Sequence, residues 1–214
     1  MTDVHEAFIA RSTVQDYLEE LAARRPVPGG GAAAAVHAAQ AAALLSMVAA
    51  YTDGPRHAAH AQVVGEVAAE ARAARVRALE LADADADAFA AVGRAYAMPR
   101  DIGDAGSARS VAIAEALAGA AEPPTTVIGL VEDLIDAAER LLPVANRSVL
   151  TDVAAATEAA RAAATTARLN VEVNLSGIRD TELRARLSTV VERVEPLLER
   201  TASIERSVRD SLRR

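Results

Sequence analysis

The sequence predicts an all-α protein: a single-domain antiparallel helical bundle of about six to eight helices, one of them long. Three observations carry this. Apolar residues make up 51% of the chain but aromatic residues only 2%. The core is therefore built from alanine, valine and leucine, small side chains that let helices approach closely. No strand-like alternation is sustained except over Asn170 to Leu175, which is too short to decide. Proline and glycine interrupt otherwise helix-forming segments. No repeat or linker divides the 214 residues, so one domain over 1–214 is expected.

The elements follow in order. Ser12 with Gln15 predicts a capping box for a first helix running to about Arg24. The run Pro26-Val27-Pro28-Gly29-Gly30-Gly31 then opens a stretch to Thr52 without a charged residue. It predicts a central, buried alanine helix over Gly31–Thr52. Gly54-Pro55 separates this helix from a long one, roughly Arg56 to Ala97, ended by Met98-Pro99. Asp101 to Gly106 reads as a loop, and a fourth helix covers about Ser107 to Ala121. Pro123-Pro124 is expected to start a fifth, ending near Leu142. Pro143 to Ser148 is a loop, and a sixth helix runs from about Val149 to Leu175. Asp180 to Leu212 supplies one or two more, with Pro196 starting or kinking a segment.

Composition narrows the function. The absence of cysteine excludes disulfides, thiolate zinc sites and a cysteine nucleophile. A net charge of −7 argues against nucleic-acid and anionic-lipid partners. The stretch Gly31–Thr52 is nearly long enough to cross a bilayer, but carries His37, Gln40 and Ser46 and lacks flanking aromatic belts. No membrane partner is expected. The N-terminus lacks a basic segment followed by an apolar run, so a cytoplasmic location is expected.

Polar residues placed on these helices supply the candidates. The three glycines leave first-turn N–H groups at the positive end of a helix dipole, able to hold an anion or a carbonyl oxygen. A loop that lets a buried alanine helix pack closely is the reading the local sequence favours. On the long helix, Val67, Ala74, Ala78, Leu81, Phe89, Val92 and Tyr96 form one stripe at 100° per residue. Asp83 and Asp87 fall on the polar side, whereas Asp85 falls within the stripe. Burial raises a carboxyl pKa, so Asp85 is a candidate acid–base group; a salt bridge or helix cap is the structural alternative. On the sixth helix, Asp152, Ala156, Ala159, Ala163, Thr166, Asn170 and Asn174 share a face. Asn170 and Asn174 are one turn apart and can point at one object, or lock helix packing by hydrogen bonds. Asp152 is eighteen residues from Asn170, about 27 Å along a straight helix, so both cannot reach one small ligand within a subunit. His57 and His60, at i and i+3, are compatible with a metal, but no acidic cluster accompanies them and no metal site is expected.

The order of these pieces is itself informative. Pro28-Gly29-Gly30-Gly31 comes first, with an alanine helix ending Ser46-Met47-Val48. Leu81-Ala82-Asp83-Ala84-Asp85-Ala86-Asp87-Ala88-Phe89 follows, then Met98-Pro99-Arg100. Asn146 with Asp152 comes next, and Leu169-Asn170-Val171-Glu172-Val173-Asn174-Leu175 is last. From about Val14 to Leu198 the chain resembles the cyclodeaminase/cyclohydrolase family of folate enzymes. That family includes the C-terminal domain of formimidoyltransferase-cyclodeaminase and bacterial methenyltetrahydrofolate cyclohydrolases. No transferase domain is expected.

The resemblance implies an all-α homodimer acting on a tetrahydrofolate one-carbon derivative as substrate, with no further cofactor. It implies catalytic roles for Asp85, Asp83 and Asp152. It implies substrate binding by Gly29, Gly30, Gly31, Arg100, Asn146, Asn170 and Asn174. Either 5-formimidoyltetrahydrofolate closes to 5,10-methenyltetrahydrofolate with loss of ammonia, or the methenyl compound is hydrolysed to 10-formyltetrahydrofolate. One carboxylate of raised pKa serves both. The chain departs from the family at Ala32, where serine is common, and at Arg100, which replaces a lysine and is no ready proton donor. Ala32 favours the alternative of a catalytically silent folate-binding or structural relative. A third reading, an interaction bundle, rests on Leu183, Leu187, Val190, Val194, Leu197, Thr201, Ile204 and Val208, which approach a heptad seam.

Overall fold

The computed structural model describes residues 9–99 and 108–213. Among them are seven α-helices and no strand: α1 Val14–Ala22, α2 Gly30–Tyr51, α3 Ala61–Ala97, α4 Ala108–Leu141, α5 Leu150–Leu175, α6 Thr181–Glu192 and α7 Val194–Leu212. Short 3-10 turns precede α1, α3 and α5. Arg100 and the expected loop Asp101 to Gly106 lie outside the described residues.

Consecutive long helices run antiparallel, and so do α2 and α5, as individual contacts establish. Asn146, just before α5, donates to the carbonyl of Tyr51 at the end of α2 (2.8 Å). Gly30, at the start of α2, meets Asn170 near the end of α5. Arg140, late in α4, pairs with Glu66 and Glu70, early in α3. One hydrophobic core joins these helices, from Ile9 to Val208.

Helix α2 is the axis of this bundle. Ala32, Ala34, Ala35, Ala38, Ala41 and Ala42 are fully buried against α3, α5 and α4. Alanine on three sides lets neighbouring backbones approach closely and costs no side-chain entropy on folding. By length and composition α2 is also apolar enough to cross a membrane, and over half of that stretch is buried inside the bundle. Its remaining face, Val36, His37, Gln40, Leu44, Met47 and Tyr51, is half-buried to exposed and uncharged.

Three sequence expectations change. The cap of α1 is Thr13, not Ser12: its hydroxyl accepts from the Asp16 amide (3.1 Å) and donates to the Asp16 carboxylate (2.6 Å). Pro123-Pro124 does not start a helix. Both prolines are buried inside the continuous α4, where packing on α3 and α5 offsets the loss of roughly 3 kcal/mol or more that an interior proline causes. The apolar stripe of α3 does not stay buried to its end, since Phe89 and Tyr96 are half exposed. The heptad-like residues of α6 and α7 are core. Leu187, Val194, Leu197, Thr201, Ile204 and Val208 are buried, and α7 packs on α5 and α4.

The tightness of this core is testable. Ala35→Leu places a larger side chain where α2 has no room. It is expected to destabilise the protein by about 1–3 kcal/mol in urea denaturation. An unchanged midpoint would mean that α2 is loosely held.

Candidate active site

The first turn of α2 sets the position of the site. Gly29 caps the helix without a side chain, and its carbonyl accepts from the Ala33 amide (3.0 Å). The glycines therefore contribute backbone only. Gly30 and Gly31 belong to the turn whose N–H groups have no intrahelical acceptor. The preceding loop contains a cis Val27–Pro28 bond.

Against this helix start stands Asp85, delivered by α3. Its carboxylate accepts a hydrogen bond from the Ala32 amide, so α3 supplies the cap that Gly29 lacks. Burial pushes the Asp85 carboxyl above its ordinary range, and the Ala32 N–H offsets that only in part.

Helix α5 closes the third side. Asn170 donates its amide Nδ2 to the Thr166 carbonyl, and Asn174 donates to the Asn170 carbonyl, each at 2.8 Å. Both side chains are thus folded back on their own helix, which leaves the Oδ1 atoms as acceptors. Together these groups enclose a cavity of about 150 Å³, lined by Pro26, Val27, Gly29, Gly30, Gly31, Asp85, Phe89, Ala120, Asn170, Val173 and Asn174. Phe89, one turn beyond Asp85, and Val173 form an apolar rim; they are 50% and 71% exposed. Sequence periodicity assigns Phe89 to the core. Its exposure at the cavity marks it as a substrate-contact candidate missed by that reasoning.

The other expected site residues lie elsewhere. Asp83 is half-buried, not on a solvated face. It accepts from the Ile9 amide (2.6 Å) and from the Ala10 amide, holding the first 3-10 turn against α3. Burial raises its pKa as well, in spite of those two donors. Asp83 does not line the cavity. Asn146 caps the turn before α5 through the Ser148 amide (3.1 Å), and its own amide N–H donates to Thr52 Oγ1 (3.1 Å). Asp152 occupies the first turn of α5, a natural place for an acid at the dipole's positive end. Asn146 and Asp152 thus stand at the opposite end of the bundle from Asp85. Arg100 lies outside the described residues.

Two other concavities are separate. A groove of about 840 Å³ between α3 and α4 holds Glu70, Asp133, Arg77 and Arg140. Its neighbouring carboxylates Asp136 and Glu139 are engaged by Arg200. A recess of about 260 Å³ near the end of α2 contains His57 and Arg72. Neither touches the glycine run. Among the described residues no group of three or more His, Asp or Glu side chains is placed to hold a metal ion.

What the cavity offers chemically is specific. It has one half-buried carboxylate whose proton affinity is raised, two amide oxygens and an apolar rim. That set suits a planar, cationic or N–H-rich group that must exchange a proton. At 150 Å³ it falls below the roughly 300–1,000 Å³ that encloses a drug-sized ligand. It therefore takes one end of a larger molecule.

Comparison with known proteins agrees in both sequence and fold. The family model described as formiminotransferase-cyclodeaminase matches residues 13–193. The chain is 31% identical over 202 residues to a methenyltetrahydrofolate cyclohydrolase of Methylorubrum extorquens, covering 94% of this chain and 96% of the relative. It is 31% identical over 176 residues to formimidoyltransferase-cyclodeaminase of Mus musculus, covering 82% of this chain but 32% of that longer protein. The crystal structure of formiminotetrahydrofolate cyclodeaminase from Thermotoga maritima matches with a TM-score of 0.82 at 26% identity, covering 92% of this chain and 98% of that one.

The burial of Asp85 has a thermodynamic signature. Its folded-state pKa is raised, so the folded state binds more protons than the unfolded one. The stability contributed by Asp85 then falls as pH rises from the unfolded to the folded pKa. Asp85→Asn is expected to melt at or above the parent's temperature at pH 7. The difference should close as pH drops toward the unfolded carboxylate value. A variant melting well below the parent at pH 7 would mark the carboxylate as a structural anchor.

Proposed function

The chain belongs to the formiminotransferase-cyclodeaminase family, and on that premise we propose that Asp85 is the acid–base group of a folate one-carbon enzyme. The enzyme acts at the 5,10-methenyl carbon of tetrahydrofolate. The observation that carries this is the uncompensated carboxylate in the cavity. Among the described residues, burial raises its proton affinity and one backbone N–H lowers it, and both a proton shuttle and a counter-ion for a cationic carbon need such a group.

In the cyclodeaminase direction, N10 of 5-formimidoyltetrahydrofolate attacks the amidinium carbon. The N10–C bond forms, and Asp85 takes the N10 proton and returns it to the departing nitrogen. The C–N bond then breaks, releasing ammonia and the methenyl cation. In the cyclohydrolase direction, water adds to the methenyl carbon as Asp85 removes a proton. The C–N5 bond breaks, N5 is protonated, and 10-formyltetrahydrofolate and one proton leave. Gly30, Asn170 and Asn174 hold the polar edge of the reacting end, and Phe89 and Val173 cover its apolar face. Ala32 is compatible with turnover because it contributes its backbone N–H, not a side chain, to Asp85.

Assembly as a homodimer belongs to the same proposal. Its support is the uncharged outer face of α2, where Leu44, Met47 and Tyr51 are incompletely covered. A second copy packed antiparallel on this face would bring Asn146 and Asp152 of the partner subunit toward the Gly29–Gly31 end. That would unite residues which one subunit separates by the length of α2, 22 residues or about 33 Å.

Two measurements test these readings. In a methenyltetrahydrofolate absorbance assay, Asp85→Asn is expected to lose about 10²–10⁴-fold in kcat. Asp83→Asn, which frees only the N-terminal turn, should keep most of its turnover but lose thermal stability. Full activity of Asp85→Asn would discard the carboxylate mechanism. In light scattering the parent should be dimeric at micromolar concentration and Leu44→Glu monomeric with reduced turnover; a monomeric parent would overturn the assembly.

A further inference from the structure

The three consecutive glycines do not do the same thing. A Cβ built on Gly29 would meet only the Pro26 carbonyl oxygen, 4.0 Å away. One on Gly30 would make an ordinary contact of 3.4 Å with Asn170 Nδ2. A Cβ on Gly31 would coincide with the carboxyl group of Asp85, overlapping its carbon and both oxygens. The carboxyl occupies the space of the missing side chain. Gly31 has no positive φ, since Gly54 is the residue with positive φ among the described residues. Backbone conformation therefore does not require glycine at position 31; the carboxyl group does.

We propose that Gly31 is a positioning residue for Asp85: its missing side chain is the slot that seats the carboxyl on the first turn of α2, against the Ala32 N–H and beside the cavity. The proposal rests on the reading of Asp85 as the acid–base group. It separates Gly31 from Gly29 and Gly30, which remain open to a bound molecule. Any side chain at 31 drives the carboxyl out of the slot and away from the reacting carbon, while the cavity's other walls stay in place. Among the described residues, the elements around Asp85 present no charge to it. The loop before α2 and α2 itself carry none over 26–52. Helix α5 presents Asn170 and Asn174, and α4 presents Ala120. On α3, Asp83 is turned to the Ile9 amide and Asp87 is exposed.

A cycle of Gly31→Ala, Asp85→Ala and the double variant tests this on the full chain, with melting temperature and kinetics as readouts. In the parent, Gly31→Ala is expected to lower the melting temperature. In the Asp85→Ala background the same change should raise it, because the vacated slot accepts a methyl group and alanine is the better helix former. Gly31→Ala should lower kcat by on the order of 10²-fold with KM near the parent's. The acid limb of its pH–rate profile should move to lower pH as the carboxyl leaves its buried seat. The same sign of melting shift in both backgrounds overturns the slot, and this comparison stands even if Gly31→Ala alone folds poorly. A raised KM with kcat and the pH profile unmoved overturns the positioning role and returns Gly31 to substrate contact. Full turnover by Asp85→Ala overturns the catalytic reading on which the proposal rests, and is distinguishable because the melting cycle still reports the slot.

Discussion

The seating of one carboxylate on one helix end governs this structure. Helix α2 begins with residues that have no side chain to cap it, and Asp85 of α3 supplies the missing acceptor at Ala32. The contact lies between α2 and α3, which pack along each other. It also removes a charge from water without a cationic partner among the described residues. The positive end of the helix dipole and one N–H offset that loss incompletely, so the proton affinity rises. Stability is given up at the place where proton transfer gains from it.

Small residues make the contact possible. Alanine over most of the buried surface of α2, and glycine at its start, bring helix backbones near enough for a short aspartate side chain to bridge them. The same economy leaves little aromatic surface for binding. Phe89 stands at the cavity as an exposed ring, beside an exposed Val173. The apolar rim, the acceptor groups and the carboxylate are then divided among α2, α3 and α5. No single helix carries a site; their antiparallel packing creates it.

Much of this was legible in the sequence because it is local. The uncharged run 26–52 marks the central helix by composition alone, and a 3.6-residue period sets Asp85 apart from Asp87. The one-turn spacing of Asn170 and Asn174 places both on one face. What was not legible depends on partners distant in sequence. Asp83 carries the same periodicity signal as Asp87, yet it is drawn inward by the Ile9 amide, 74 positions away. Pro123-Pro124 has the local signature of a helix start, which burial between neighbouring helices overrides. Phe89 looks like core because its stripe neighbours Leu81 and Val92 are buried, but between them α3 runs along the cavity. Asn146 and Asp152 join the glycine run in a shared sequence pattern, but a pattern carries no distance. The need for glycine at position 31 appears only when Asp85 is seen in its place.

The central claim concerns the ionisation of one side chain in contact with the reacting group, and it is read most directly by NMR. Protein labelled with ¹³C at the aspartate carboxyl carbon is titrated with and without tetrahydrofolate. One resonance, absent from Asp85→Asn, is expected to titrate above the ordinary aspartate value and to shift when tetrahydrofolate is added. A resonance assigned to Asp85 that titrates like an exposed aspartate and ignores tetrahydrofolate would contradict the account.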